Sequence, residues 1–161
     1  MRVFVGLKIP ADPSLMPPLD SLRKTGEMRV YDSRTLHLTL RFIGETEEER
    51  IPDIEEAVKE AAEGMGPIPI RLRGLGSFPG KGAPRIVWIG ASSGGKLEKL
   101  ADGISKNLKA KGIPFDRKRF VPHITVARAR NEKGAPKCSK TISEFGNVQF
   151  FSFVCNDIAV Y

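Results

Sequence analysis

Two segments of the chain carry apolar residues at steps of three and four, the spacing that lines one face of an α-helix. The first stripe consists of Ile51, Ile54, Val58, Ala61 and Met65. Residues 46–49 precede it in the form of a capping box, and Gly64 offers a stop. The second stripe consists of Leu97, Leu100, Ile104 and Leu108. It predicts a helix over residues 96–111 that Gly112 and Pro114 end.

A third helix is expected near the N-terminus. Asp12 and Pro13 suit an N-cap and a first helical turn. They precede three leucines at helical spacing, Leu15, Leu19 and Leu22. Pro17 and Pro18 then favour a late start or a kink.

The remaining apolar runs are short and β-rich, as strands are. They cover residues 2–9, 68–73, 85–90, 122–128, 148–154 and 157–161. Residues 74–84 are rich in Gly and Pro and predict a loop that is mobile or tightly turned. Strands and helices interleave without a low-complexity linker, so we expect one α+β domain over residues 1–161.

Composition narrows the class of protein. The 161-residue chain is 40% hydrophobic and 28% charged, which is typical of a globular protein rather than a disordered one. No apolar run approaches the roughly 20 residues that span a bilayer, and the N-terminus has the pattern of a strand rather than a signal peptide. Cys138 and Cys155 form no disulfide framework, so free thiols in a reducing cytoplasm are expected. The formal charge of +7 is compatible with a polyanionic partner.

The only two histidines of the chain occur in the same four-residue context. The two segments are His37-Leu38-Thr39-Leu40 and His123-Ile124-Thr125-Val126. Both lie in β-rich runs, about half the chain apart. Because side chains alternate along a strand, each segment presents its imidazole and hydroxyl together and buries its apolar residues. The repetition predicts two related lobes whose histidines and threonines converge on one cleft.

Two imidazoles suit the opening of a cyclic phosphodiester, because one can accept a proton from water while the other donates a proton to the leaving oxygen. A single His-x-Thr-x segment is usually an ordinary half-buried strand, so the repetition carries this hypothesis. As metal ligands, two distant histidines without a Cys or a second His nearby are a poor set. We therefore expect chemistry that needs no metal and no cofactor.

The flanked motifs, residues 37–44 (HLTLRFIG) and 120–128 (FVPHITVAR), resemble the paired signatures of the 2H phosphoesterase superfamily. More narrowly, they resemble those of the RNA 2′,3′-cyclic phosphodiesterases, once called 2′-5′ RNA ligases. Residues 1–10 and 74–90 are also similar to that family's pattern. The resemblance implies a bilobal α+β fold with two pseudo-symmetric antiparallel sheets, helices on the outside and a central cleft. It implies hydrolysis of a terminal RNA 2′,3′-cyclic phosphate to a 2′-phosphate.

The same resemblance assigns roles to five residues. His37 would be the acid that protonates O3′, and His123 would be the base that activates water. Thr39 and Thr125 would bind phosphate oxygens. Arg128 would stabilise the phosphate charge.

Strand alternation complicates the expectation for Arg128. In a regular strand Arg128 points away from His123, so it reaches the phosphate only through a β-bulge or by curling over the strand end. Arg41 shares the face of His37 in a regular strand and is the alternative.

Two other functions stay open at this point. The same acid–base pair could join a 2′,3′-cyclic phosphate end to a 5′-hydroxyl end, as a 2′-5′ RNA ligase does. A module that binds RNA or nucleotides without turnover is the third possibility. The expected partner is RNA with 2′,3′-cyclic phosphate ends, such as tRNA fragments, and a monomer is expected. Phe4, Phe42 and Phe120 are candidates for stacking on the terminal base, although core packing is the usual role of such residues.

Overall fold

The computed structural model describes all residues 1–161, which form two antiparallel sheets and four α-helices. The strands are β1 (Arg2–Lys8), β2 (Met28–Val30), β3 (His37–Glu45), β4 (Ile68–Phe78), β5 (Ile86–Ser92), β6 (His123–Ala129), β7 (Gln149–Cys155) and β8 (Ala159–Val160). The helices are α1 (Met16–Lys24), α2 (Ile51–Ala62), α3 (Lys96–Ala110) and α4 (Ser139–Glu144). The predicted α+β class with antiparallel sheets is confirmed.

The smaller sheet has the strand order β3-β1-β8. Alternate residues of β1, Val3, Val5 and Leu7, point to one face and are buried. Helix α3 packs against β3, α2 packs against β8, and the two helices pack against each other. This lobe therefore takes its helices from the middle of the chain and its last strand from the C-terminal end.

The larger sheet has the strand order β2-β6-β5-β4-β7. Its buried face includes Leu72 of β4, Ile89 of β5 and Ile124 of β6. Helix α1 packs against β2, and α4 packs against β4. The chain thus passes from one lobe to the other several times, and the lobes differ in strand number.

The helix predictions are confirmed in position, but the predicted capping box is wrong. Thr46 donates its hydroxyl to the Gly44 carbonyl at 2.9 Å instead of capping α2. A 3₁₀ turn, Glu48–Arg50, comes before α2, so the helix begins too far along the chain for Thr46 to reach it. Near the N-terminus, Asp12 caps a 3₁₀ turn and α1 starts after it, which is the predicted late start.

The predicted strands are present, and one loop prediction is wrong in part. Strand β4 continues to Phe78, so residues 74–78 are strand rather than loop. Gly74 interrupts the β4–β5 pairing with a φ of +74°, and a Cβ there would lie 2.5 Å from the Gly146 carbonyl oxygen. Glycine therefore lets the strand bend and go on pairing. Strand β2 and helix α4 were missed, because three and six residues are too short to show a period.

The structure also describes the two cysteines and the length of the helices. Cys138 and Cys155 are free and buried, and burial raises the pKa of both thiols. None of the helices has the length and apolar character that crossing a bilayer requires.

Candidate functional site

The two histidines are the first residues of their strands, His37 of β3 and His123 of β6. Strand β3 is the edge of the smaller sheet, and β6 lies one strand in from the edge of the larger sheet. The short β2 pairs only with residues 127–129 at the far end of β6 and leaves the His123 end uncovered. Strands β3 and β6 pack against each other, so the two motif strands meet where the sheets join.

Strand β3 contains a β-bulge at Leu40. Thr39 pairs with Gly6 of β1, whereas Arg41 pairs with the preceding β1 residue, Val5, so Leu40 has no partner. Cross-strand partners share a face, and Val5 is fully buried. The bulge therefore turns Arg41 toward the core side of the sheet.

The side chain of Arg41 is held on that side by two hydrogen bonds. Its Nε donates to Ser105 Oγ on α3, and its Nη1 donates to the Lys118 carbonyl oxygen at 2.9 Å. The expectation that Arg41 shares the face of His37 is wrong, because the bulge shifts the alternation by one residue.

Strand β6 contains a β-bulge at Val126, the same motif position. Thr125 and Ala127 pair with two consecutive residues of β5, Trp88 and Val87, so Val126 has no partner. Both Val126 and Ala127 are buried. The alternation after Thr125 is consequently shifted by one residue, as in β3.

This bulge brings Arg128 to the face of His123 and Thr125, by one of the two routes that the sequence left open. Arg128 is exposed there. Its Nε donates to the Tyr31 hydroxyl at 2.8 Å, which fixes the direction of the guanidinium. Of the two candidate arginines, Arg128 is therefore the one that shares a strand face with a motif histidine.

A cavity of about 450 Å³ lies between the motif strands. Thr39, His123, Thr125 and Arg128 line it, so four of the five predicted site residues share one cavity. His37 is not part of the lining. It lies two residues before Thr39 on the same face of β3.

The cavity is rich in positive charge. Lys118, Arg119 and Arg128 line it against a single acid, Asp116. Arg41 also belongs to the lining, although two of its guanidinium nitrogens are engaged by Ser105 and the Lys118 carbonyl oxygen. One oxygen of Asp116 already accepts the Lys118 backbone N–H at 2.9 Å. Such a lining favours an anionic ligand. The chain contains no group of three or more His, Cys, Asp or Glu side chains that could hold a metal ion.

The ring of His123 is fixed by a backbone contact that no pattern in the sequence indicates. Its Nδ1 lies 2.6 Å from the Val121 carbonyl oxygen. A carbonyl oxygen only accepts, so Nδ1 carries the proton, and the neutral ring has its lone pair on Nε2. Phe78 and Trp88 flank the ring, with centroids 5.6 and 6.2 Å away.

Aromatic residues surround His37. The ring of Tyr161 meets it edge-on with centroids 4.7 Å apart, and Phe4 lies at 6.0 Å. Tyr161 also stacks on Phe4 at 5.1 Å and exchanges two backbone hydrogen bonds with it, at 2.8 and 3.0 Å. Phe4 is therefore engaged by its neighbours inside the protein. Neither Tyr161 nor Tyr31 belongs to a pattern that marks it in the sequence.

Known proteins share this chain's sequence and fold. Residues 11–161 match the 2′-5′ RNA ligase superfamily. The RNA 2′,3′-cyclic phosphodiesterase of Aeropyrum pernix is 35% identical over 141 residues, which are 86% of this chain and 79% of that protein. The RNA 2′,3′-cyclic phosphodiesterase of Archaeoglobus fulgidus is 33% identical over 154 residues, 93% of this chain and 84% of its own length.

The fold comparison agrees with the sequence comparison. The crystal structure of TT0787 of Thermus thermophilus superposes with a TM-score of 0.80 at 30% identity, covering 99% of this chain and 87% of the other. The family resemblance that the two motifs indicated is thereby confirmed, and it extends over nearly the whole chain. This chain belongs to the 2′-5′ RNA ligase superfamily.

Proposed function

We propose that this protein hydrolyses the 2′,3′-cyclic phosphate at the end of an RNA to a 2′-phosphate, with two histidines as acid and base. Two relatives with 35% and 33% identity, both called RNA 2′,3′-cyclic phosphodiesterase, support the reaction class. The positively charged cavity between the motif strands supports an anionic substrate. The observation that carries the mechanism is the hydrogen bond between His123 Nδ1 and the Val121 carbonyl oxygen.

His123 is the base in this mechanism. With the Nδ1 proton held by Val121, the Nε2 lone pair can take a proton from the attacking water. The same carbonyl stabilises the imidazolium that forms, because the Nδ1–H bond to it persists. Phe78 and Trp88 flank the ring and restrict its rotation at the cavity wall that His123 helps to form.

His37 is the acid. As the bond between phosphorus and O3′ breaks, His37 gives its proton to O3′, and the phosphate stays on O2′. The contacts with Phe4 and Tyr161 hold the His37 ring in place during this transfer. After one turnover His123 has gained a proton and His37 has lost one, and exchange with solvent restores both.

Thr39, Thr125 and Arg128 bind the phosphate. The two hydroxyls occupy equivalent positions before the two bulges and donate to non-bridging oxygens. Arg128 supplies positive charge from the same face as His123, with its Nε held by Tyr31. These groups keep phosphorus in line between the water and O3′.

The test is incubation of the protein with a nucleoside 2′,3′-cyclic phosphate and with a short RNA ending in one, in the presence of EDTA. The product is identified by ³¹P NMR. We expect a 2′-phosphomonoester from both substrates. A 3′-phosphate would overturn the assignment of O3′ as the leaving oxygen, and a ligated RNA formed faster than the monoester would make ligation the main activity. A folded protein that turns over neither substrate would contradict the proposed function.

A further inference from the structure

The five strands of the larger sheet contain four arginines and no acidic residue at all. The arginines are Arg29, Arg71, Arg73 and Arg128. Each is exposed, and none takes part in an ion pair. A solvent-facing sheet surface usually mixes the two signs of charge, so this one is unusual in carrying positive charge alone.

The strand register puts all four arginines on one face, together with His123. Gly90 of β5 pairs with His123 on one side and with Arg73 on the other, so these three residues form a row across the sheet. Arg71 lies two residues before Arg73 on β4 and has the same orientation. The opposite face is the buried one, covered by α1 and α4.

The remaining two arginines are direct cross-strand partners. Arg29 of β2 pairs with Arg128 of β6, which the bulge has turned to the His123 face. Like charges directly opposite each other in a sheet are destabilising. A polyanion bound on this face would relieve that repulsion, and it is the ligand that such a face selects.

We propose that the face formed by Arg71, Arg73 and their neighbours binds the RNA body on the 5′ side of the cyclic phosphate. This inference rests on the proposed function. Two strand spacings separate Arg73 from His123, about 10 Å, and Arg71 lies about 7 Å further along β4. Gly90, which lies between His123 and Arg73, has no side chain that would obstruct a strand of RNA. Arg73 and Arg71 are therefore placed to hold successive phosphates of a strand that leaves the cavity across β5.

Other groups along this route suit a single strand of RNA. Ser92 and Ser152 are the cross-strand partners of Arg71 and line a cavity of about 390 Å³ with it. Their hydroxyls can donate to phosphate oxygens or to ribose. At the start of the route, Phe78, 43% exposed, and Trp88 lie beside His123, on the side away from Arg71, and offer a surface on which the terminal base can stack.

The experiment compares KM for a nucleoside 2′,3′-cyclic phosphate with KM for a short RNA that ends in one. The test variant is Arg71→Gln with Arg73→Gln. The matched control is Lys99→Gln with Lys109→Gln, two exposed lysines on α3 that remove the same charge from another surface. A third variant, Arg29→Gln, tests the alternative that the RNA leaves the cavity across β2, the edge strand of the larger sheet.

We expect the wild type to have a lower KM for the RNA than for the nucleotide. The Arg71/Arg73 variant should raise the KM for the RNA by about tenfold or more and leave nucleotide hydrolysis unchanged, because each lost contact is a charge-assisted hydrogen bond. For this variant, the slope of log(kcat/KM) for the RNA against log salt concentration should become shallower by about 1.4, because each phosphate contact with a single strand contributes about 0.7. The control variant should leave the KM for both substrates unchanged.

Equal effects of the test and control variants would overturn the inference, as would an RNA-specific loss confined to Arg29→Gln. Hydrolysis of the nucleotide by the wild type distinguishes a failure of this inference from a failure of the proposed function. If the nucleotide is hydrolysed but the RNA shows no dependence on Arg71 and Arg73, only this surface is wrong. If neither substrate is hydrolysed by folded wild-type protein, the proposed function itself has failed.

Discussion

Leu40 and Val126 are the unpaired residues of two β-bulges that lie at the same position of the two motif strands. Each bulge follows the threonine of its motif and reverses which face the next residues occupy. The motif repetition therefore extends from sequence to backbone geometry. It also breaks the symmetry of function, because Arg128 in one strand corresponds to Phe42 in the other. Of these two equivalent positions, only the one in β6 carries a charged side chain.

The bulge in β6 predicts that Arg128 matters for activity and little for stability. Arg128→Gln removes a charged donor from the cavity, and we expect kcat/KM for a nucleoside 2′,3′-cyclic phosphate to fall about 10- to 100-fold. The melting temperature should hardly change, because the side chain is exposed. Steady-state kinetics and thermal unfolding of the same preparation check this. Unchanged kinetics would remove Arg128 from the site.

Tyr31 is predicted to act through Arg128. Tyr31→Phe removes the oxygen that accepts the Arg128 Nε proton, so the guanidinium loses its fixed direction. We expect kcat/KM to fall about threefold to tenfold, the range of one ordinary hydrogen bond. In the Arg128→Gln background the same change should have no further effect. Additive losses in this double-mutant cycle would show that Tyr31 acts independently of Arg128.

Arg41 should show the opposite behaviour. Its hydrogen bonds to Ser105 and to the Lys118 carbonyl connect β3 to α3 and to the segment that leads into β6. Arg41→Gln is expected to lower the free energy of unfolding by about 1–2 kcal/mol. Chemical denaturation measures this loss. At a temperature where the variant is fully folded, its kcat/KM should fall less than that of Arg128→Gln, and a larger fall would place Arg41 at the substrate.

Gly74 offers a test of the bent β4 strand. Gly74→Ala would put a Cβ 2.5 Å from the Gly146 carbonyl oxygen at a φ of +74°, so we expect a destabilisation of about 1–3 kcal/mol. Gly80→Ala is the control, because a Cβ at Gly80 meets nothing within 4 Å and its φ is not in the left-handed region. Equal stability of the two variants, measured by urea unfolding, would contradict the described bend.

The sequence predicted those parts of the fold that rest on periodicity. The leucine stripe of α3 and the alternation in β3 and β6 depend on local spacing alone, and the structure has these elements where they were expected. The repeated motif and the family resemblance both predicted two lobes. Strand β2 and helix α4 are short and are stabilised by packing against neighbouring elements, so their own residues show no periodicity from which they could be predicted.

The site was predictable only in its residue types. The repeated motif marks Thr39, His123 and Thr125, which line the cavity, and His37, which lies outside the lining. The orientation of the two arginines does not follow from the motif, because a bulge depends on which residue of the neighbouring strand each one meets. The contact between His123 and the Val121 carbonyl is likewise a backbone feature that any residue at position 121 could supply. Tyr31 and Tyr161 reach the histidine strands through tertiary contacts that no local spacing encodes.

The most direct test of the two-histidine mechanism is single-turnover hydrolysis of a nucleoside 2′,3′-cyclic phosphate by His37→Ala and His123→Ala. Both variants should keep the wild-type circular dichroism spectrum and melting transition within a few degrees. We predict that each loses about 10²- to 10⁴-fold in rate, the usual size of one proton-transfer contribution. A folded variant of either histidine that keeps nearly the wild-type rate would contradict the mechanism.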